Sequence, residues 1–216
     1  MQIANLLIEP TVETLYMVFT ATIFATVFGI PLGILLMVTD KGQILQNLPI
    51  NRIFGTIVNV LRSIPFIILL FLLIPFTRLL VGKAIGTTAS IVPLSIAAVP
   101  FMARLTETAL REVDKGIIEA AQSMGASPIQ IIKKVLIPES LPSIVSGITI
   151  TIINLVGYSA MAGAMGGGGL GDLAVRYGYQ RFKLDIMLYT VIVLVVIVQL
   201  IQAVGDFIVK QISKNR

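Results

Sequence analysis

The sequence contains no cysteine, no histidine and few charged residues. Without cysteine, the chain can form neither a disulfide framework nor a thiol-based site. Without histidine, it lacks the usual metal ligand and the usual general base near neutral pH. Only 12% of its 216 residues are charged, whereas soluble domains average about 25%. Since 56% of the residues are hydrophobic, the composition excludes a soluble globular domain and predicts an integral membrane protein.

Hydrophobic segments long enough to span a membrane recur along the chain. A span needs about 20 apolar residues, which leaves room for five spans and their connections. We expect an all-α membrane fold in which Thr11 caps the first helix and Gly29-Ile30-Pro31 kinks it. No Lys or Arg precedes the first segment, so a cleavable signal peptide is not expected. The predicted spans cover residues 11–38, 53–74, 88–105 with a helical extension to 113, 143–158 and 186–208, and a short basic tail follows.

The positive charges predict how the chain is oriented in the membrane. With the N-terminus outside, eleven Lys and Arg residues fall on the inner side and five on the outer side, as expected if basic residues favour the cytoplasm. The net charge of +5 is then explained by orientation rather than by nucleic-acid binding. The inner set is Lys41, Arg52, Arg62, Arg104, Arg111, Lys115, Lys133, Lys134, Lys210, Lys214 and Arg216, and the outer set is Arg78, Lys83, Arg176, Arg181 and Lys183.

The longest polar segment, residues 119–142, separates the third and fourth predicted spans. Apolar residues recur before and within it at helical spacing, and Gly125 can end that helix in a left-handed conformation. Ser127, Pro128 and Gln130 then predict a new helix, because they supply an N-cap, a proline at the first helical position and the second half of a capping box. The first apolar set is Ile117, Ile118, Ala121 and Met124, and the second is Ile129, Ile132, Val135 and Leu136.

These two short helices each have an apolar face that must be covered from outside the bilayer. Lipid headgroups could cover it, as they do for basic amphipathic helices, and Lys133 and Lys134 supply the basic face. Another protein could equally cover it. The periodicity alone leaves both interpretations open.

Three other groups of residues have ordinary structural interpretations. Gly166, Gly168 and Gly171 match a dinucleotide-binding pattern, but no strand is predicted before them, so we expect no nucleotide site on this chain. Arg62 falls inside the second hydrophobic segment, and we interpret it as reaching the cytoplasmic edge of a span that starts later. Arg104 and Glu107 are three residues apart and are predicted to form a surface helix pair.

A run rich in small residues ends the fourth span, from Asn154 to Met165. Small residues allow helices to pack closely. They also allow irregular backbone, which membranes accept only where it lines a cavity. Both interpretations stay open, and the second predicts a substrate path. Because five spans are too thin to enclose a path, that path implies a homodimer with the path on its axis. The predicted path residues are Tyr158, Ser159, Met161 and Met165.

Several motifs together resemble a known family. Glu119-Ala120-Ala121, then Gly125, then Val135 to Pro138 resemble the EAA loop of ABC-importer permeases, with Val135 and Ile137 as conservative apolar departures. The run from Arg62 to Leu70, the run from Gly157 to Met161 and the Gly168–Gly171 turn are similar to the permeases of methionine importers. The likeness covers nearly the whole chain.

The resemblance implies a type I ABC-importer permease fold of five spans in residues 11–208, followed by a basic cytoplasmic tail, 209–216. It implies that the chain sits in a bacterial inner membrane and imports methionine, both L and D, without being an enzyme itself. ATP and Mg would be bound by two partner ATPase subunits, and the other partners would be a second copy of the chain and an extracytoplasmic methionine-binding protein. The residues implied to dock on the ATPase are Glu119, Ala120, Ala121, Met124, Gly125, Ala126, Pro128 and Ile129.

Other functions are less well supported by the sequence. The importer could carry another amino acid. An ion-coupled secondary transporter would need ionisable residues within its spans, and the predicted spans contain almost none. A membrane enzyme would need an acid/base set, which a chain without histidine, cysteine or paired carboxylates in a span does not provide.

Overall fold

The computed structural model describes residues 2–214, with side chains from residue 6 onward, and that part of the chain is helical without a strand. An all-α fold was predicted and is confirmed. The helices are α1 (Gln2–Thr39), α2 (Leu48–Ser63), α3 (Phe66–Leu72), α4 (Ile74–Val81), α5 (Thr87–Arg111), α6 (Lys115–Ser123), α7 (Pro128–Ile131), α8 (Ile137–Ala162), α9 (Gly169–Leu173) and α10 (Leu184–Lys214). Wider π-helical turns occupy Ile132–Leu136, Gly163–Gly167 and Ala174–Tyr179.

Within the described residues, four helical stretches are long and apolar enough to cross a membrane: Leu6–Thr39, Thr87–Arg111, Pro128–Gly167 and Leu184–Lys214. The second predicted span, residues 53–74, is not one straight helix, because α2 and α3 meet at an angle of 103°. The break falls at Ile64, which is extended, and Pro65. Proline disfavours the helical conformation of the residue before it and donates no backbone hydrogen bond. The prediction of a continuous second span was therefore wrong.

Other predicted boundaries also shift. The helix α1 begins at Gln2, so Thr11 is not its cap; its hydroxyl donates to the Leu7 carbonyl inside the helix at 2.7 Å. The first helix stays continuous through Pro31. The fourth span begins long before its predicted start at residue 143, since α7, a π-helical turn and α8 follow one another without interruption. The last helix continues to Lys214, through much of the predicted tail.

The main core lies where α1 crosses α5 and α8. Met17, Val18 and Ala21 of α1 pack into one buried cluster with Leu94 and Met102 of α5. The two helices approach closely at Gly33, where an added Cβ would lie 2.4 Å from the Ala103 carbonyl oxygen. Glycine at this position therefore sets how close α1 and α5 can come.

A second buried cluster attaches the segment between α5 and α8 to the rest of the molecule. It joins the end of α1 and the end of α5 to α6, α7 and the π-helical turn Ile132–Leu136. Because this cluster is continuous, the segment is held against the bundle rather than hanging from it. Its buried members are Met37, Val38, Leu110, Val113, Ile118, Ala121, Ile131 and Leu136.

Candidate coupling surface and transport path

The helix α6 is ended by hydrogen bonds that require the glycine predicted there. Gly125 has φ +77°, the left-handed conformation that favours glycine. Its amide donates to the Gln122 carbonyl at 2.9 Å, and the Ala126 amide donates to the Ala121 carbonyl at 3.1 Å. These two bonds form a Schellman motif, so the turn between α6 and α7 has a fixed geometry.

The helix α7 starts with the predicted capping box. The Ser127 amide donates to the Gln130 side-chain oxygen at 2.8 Å, and the Gln130 amide donates to the Ser127 hydroxyl at 3.4 Å. Pro128 occupies the first helical position, where its missing N–H costs nothing. The turn and the cap together fix how α6 and α7 are oriented toward each other.

The segment formed by α6 and α7 is apolar on two sides, only one of which packs against the protein itself. Ile118, Ala121 and Ile131 are buried in the second cluster. On the opposite side, Met124 is 83% exposed and Ile129 is 63% exposed. We call the exposed side the coupling surface; its members are Ile117, Glu119, Ala120, Met124, Gly125 and Ile129.

The predicted docking residues divide between these two sides. Five of them lie on the coupling surface, and Ala126 and Pro128 are half-buried beside it. Ala121 faces the interior, so its small size serves packing within this chain. Ile131, which sequence reasoning missed, is buried in the second cluster. The helical spacing could not decide this, because apolar residues lie on both sides of the segment.

A charged network connects α2, α5 and the end of α1 beside this segment. Glu107 accepts from Arg104 at 2.5 Å and from Arg111 at 2.8 Å, and Arg111 also contacts Asp40 at 2.5 Å. Arg104 donates further to the Asn59 side chain at 2.8 Å. Arg104 and Glu107 do form the predicted pair, but the prediction that it lies at the surface was wrong, since the Glu107 side chain is only 8% exposed.

The pKa of Asp40, which lies beyond the end of α1, is lowered from its ordinary value of 3.8. The main cause is the hydrogen bond from Arg111, and the Lys41 amide adds a second one. Both bonds favour the charged carboxylate. The negative charge at the end of α1 is therefore kept near neutral pH.

The break between α2 and α3 borders a cavity of about 210 Å³. We call it the break cavity; its lining includes Arg62, Ile64, Phe66, Ala97, Phe101 and Tyr158. The Tyr158 ring stacks on the Phe66 ring at a centroid distance of 4.5 Å. Of the predicted path residues, Tyr158 is therefore the one that lines this cavity.

Arg62 shares the break cavity with Ala97 and Phe101 of α5. One turn earlier on α2, Val58 packs against Leu36 and Ala103, which lie near the predicted cytoplasmic ends of the first and third spans. The interpretation that Arg62 reaches the cytoplasmic edge of its span therefore stays a prediction.

The remaining predicted path residues are not all brought together. Met161 and Met165 are exposed, by 47% and 37%, on the same stretch of chain as Tyr158. Ser159 is buried, and its hydroxyl donates to the Val156 carbonyl at 2.8 Å. It faces the core of its own protomer rather than the surface that carries the two methionines.

The glycine-rich turn before α9 is held by α1. The Glu13 carboxylate accepts from the Gly169 amide at 2.6 Å and from the Thr87 hydroxyl at 3.1 Å. Gly168 and Gly169 both have positive φ, and an added Cβ at Gly168 would lie 2.9 Å from this carboxylate. The run of glycines thus serves close backbone packing. Sequence reasoning missed Glu13, whose only signal was an acidic residue within a hydrophobic segment.

The class of protein follows from these features together with a family comparison. The model of the family described as "Binding-protein-dependent transport system inner membrane component" matches residues 29–216. The chain belongs to this family of ABC-importer permeases. Its particular likeness is to methionine importers, as the following relatives show.

A Vibrio cholerae protein, "Probable D-methionine transport system permease protein MetI", is 55% identical over 210 residues, covering 97% of this chain and 93% of the relative. The Bacillus subtilis "Methionine import system permease protein MetP" is 51% identical over 205 residues, covering 95% and 92%. The resemblance to methionine-importer permeases is thereby confirmed.

The solved structures agree with the sequence relatives. A crystal form of the inward-facing MetNI methionine ABC transporter matches with a TM-score of 0.91 and 52% identity, over 93% of each chain. An amino acid ABC transporter with histidines matches with a TM-score of 0.80 at 20% identity, over 96% of this chain and 94% of that one. The second match shows the shared fold alone. The type I permease fold is therefore confirmed.

Proposed function

We propose that this chain is the permease of an importer that carries methionine, as L and D enantiomers, into the cytoplasm. The observation that carries the proposal is the match over 93% of the chain to a solved methionine ABC transporter at 52% identity. The permease itself is not an enzyme. ATP and Mg are bound by two partner subunits, whose hydrolysis drives transport.

The ATPase subunit docks on the coupling surface. Met124 and Ile129 expose apolar side chains on both sides of the fixed Gly125 turn. Exposed apolar residues on a rigid support are typical of protein interfaces. Ala120 on the same side leaves room for a close approach, and Glu119 adds a negative charge. A displacement of this surface is transmitted to the bundle, since the opposite side of the same helices is packed into the second buried cluster.

Two copies of the chain enclose the substrate path between them. Tyr158, Met161 and Met165 line it, while Ser159 supports it from the core. The exposed thioethers suit an apolar, sulfur-containing substrate because methionine side chains adapt to irregular contacts. In one protomer these residues lie at the surface, so the path is completed by the second copy.

The N-terminus lies outside and the C-terminus in the cytoplasm of a bacterial cell. Eleven basic residues fall on the inner side and five on the outer side, and this excess supports the orientation. Of the inner set, Arg216 lies outside the described residues. A methionine-binding protein meets the outer face, at residues 78–86 and 166–183.

Transport by the purified complex tests this proposal. The chain is reconstituted in proteoliposomes with its ATPase subunits and binding protein, and uptake of L- and D-methionine is compared with uptake of leucine, glutamine and histidine. We expect ATP-dependent uptake of both methionine enantiomers only. Uptake of another amino acid in preference to methionine would refute the substrate, and uptake independent of ATP would refute the importer.

A further inference from the structure

Arg62 is a cation in a hydrophobic segment of a transmembrane chain. A charge within a span is costly and usually faces a cavity, a partner or the interface. Arg62 is exposed and lines the break cavity. The extended backbone at Ile64 lines the same cavity. Irregular backbone is tolerated at membrane depth only inside protein or beside water, so the charge and the helix break meet at one cavity.

The charge of Arg62 has no counterion in the part of the chain that the structure describes. The ion pairs found there use Arg104, Arg111 and Arg176. Arg104 makes an informative contrast, because it donates to Glu107 and to Asn59 on the helix that also carries Arg62. Arg104 thus stabilises the fold through its partners, whereas Arg62 presents an unpaired guanidinium to the cavity.

We propose that Arg62 binds the α-carboxylate of the amino acid as it passes through the break cavity. This inference rests on the proposed function, since the ligand is the transported substrate. A guanidinium matches a carboxylate with two parallel hydrogen bonds. The aromatic rings of Phe66, Phe101 and Tyr158 form the other walls, and aromatic rings make favourable contacts with a thioether. The cavity therefore offers one charged group and one apolar wall, as a neutral amino acid requires.

A single cysteine at the cavity tests the binding directly. The chain has no cysteine of its own, so Phe101→Cys provides a unique thiol on this chain. Labelling of this thiol by a small reagent is followed on the permease within the complete complex, with and without L-methionine. We expect L-methionine to slow labelling about tenfold, and L-methioninamide, which lacks the carboxylate, to have little effect, because a charged hydrogen bond is lost. Equal protection by the amide, or no protection by methionine, would overturn the proposal.

Substitution of the arginine provides the second part of the test. In the Phe101→Cys background, Arg62→Gln should abolish the protection of the thiol at position 101, and Arg62→Lys should restore part of it. Arg52→Gln is the matched control, since Arg52 is an exposed arginine near the start of the same helix. Protection that persists in Arg62→Gln would show that the guanidinium does not hold the substrate.

The ratio of uptake to ATP hydrolysis distinguishes a variant that has lost substrate binding from one that is misfolded. In Arg62→Gln, we expect methionine uptake to fall about tenfold, while hydrolysis stimulated by the binding protein is retained. Equal losses of uptake and hydrolysis, or dissociation of the dimer, would mean that Arg62 pairs with the second copy instead. If the wild-type complex fails to import methionine but imports another amino acid, the proposed substrate fails, and the same assays run with that amino acid still decide the role of Arg62.

Discussion

The coupling surface and the break cavity belong to one chain, but they are stabilised in opposite ways. The coupling surface rests on complete hydrogen-bonded motifs, a Schellman turn and a capping box, and on a buried cluster beneath it. The break cavity lies where helix geometry is interrupted, between α2 and α3. The first region is held in one shape, and the second leaves polar groups unpaired.

This difference fits the roles that we propose for the two regions in transport. A surface that receives a movement from another protein transmits it only if its own shape does not yield. A path must accept a substrate and release it, which a fully paired and closely packed site does not allow. The variants below are chosen to break or sharpen this contrast, beginning with the largest effect.

The most damaging change is a charge on the coupling surface. Met124→Glu places a carboxylate in an interface that we expect to be apolar, so uptake and stimulated hydrolysis should each fall at least about tenfold. Gln122→Glu is the matched control because Gln122 is exposed on the same helix but away from the stripe of Ile117, Ala120 and Met124. The two rates are measured on complexes shown to be in the membrane. Unchanged rates in Met124→Glu would favour the interpretation that lipid headgroups cover this surface, and would remove the contrast between the coupling surface and the break cavity.

Substitutions at Ala120 and Ala121 distinguish packing within this chain from docking on the ATPase subunit. Ala121→Leu adds volume inside the second buried cluster and should lower the free energy of unfolding by roughly 1–3 kcal/mol, even without the ATPase subunit. Ala120→Leu lies on the exposed side and should change it by about 0.5 kcal/mol or less. Thermal unfolding of the isolated permease in detergent measures both. Equal stability of the two variants would contradict the division of the segment into two sides.

Gly125 tests whether the fixed turn matters. No atom lies within 4 Å of an added Cβ there, so only the left-handed backbone opposes a side chain. Gly125→Ala should cost about 1–2 kcal/mol, and Gly125→Asn should cost less because asparagine tolerates this conformation. Unfolding temperatures in detergent give the order Gly, Asn, Ala. The reverse order of Asn and Ala would show that the turn is not what ends α6.

The Asp40–Arg111 pair should have the smallest effect. Because the folded state lowers the pKa of Asp40, the stabilisation is complete above its ordinary value of 3.8 and is lost as pH falls through the lowered value. Asp40→Asn should cost about 1 kcal/mol or less at neutral pH and nothing at pH values where the wild-type carboxyl is protonated. Melting curves of both proteins across this acidic range, with Asp185→Asn as a control, measure the difference. A gap that widens on acidification would contradict the pairing.

The parts of the structure that were predicted correctly are those set by neighbouring residues. The Gly125 turn and the Ser127 cap depend on hydrogen bonds within a few residues, so their sequence pattern was sufficient. The Pro65 break was missed although its signal was local, because hydropathy dominated the interpretation of that segment. A hydropathy profile detects an apolar segment but does not detect a bend between two helices within it.

The parts that were not predicted depend on contacts between distant residues. Glu13 binds an amide at Gly169, and the arginines paired with Glu107 reach Asn59 on α2 and Asp40 beyond α1. These long-range contacts have no local pattern, although the spacing of Arg104 and Glu107 does. The place of Arg62 at the break cavity also depends on distant residues, since the packing of α2 against α5 brings it beside Ala97 and Phe101.

One measurement tests the central claim that the exposed side of α6 and α7 is where the ATPase binds. Met124→Cys introduces the only thiol on this otherwise cysteine-free chain, and its labelling by a membrane-impermeant reagent is compared with and without the ATPase subunit, beside Gln122→Cys. We predict that assembly with the subunit strongly slows labelling at position 124 and leaves position 122 reactive. Equal labelling of position 124 in the free permease and in the assembled complex would contradict the account.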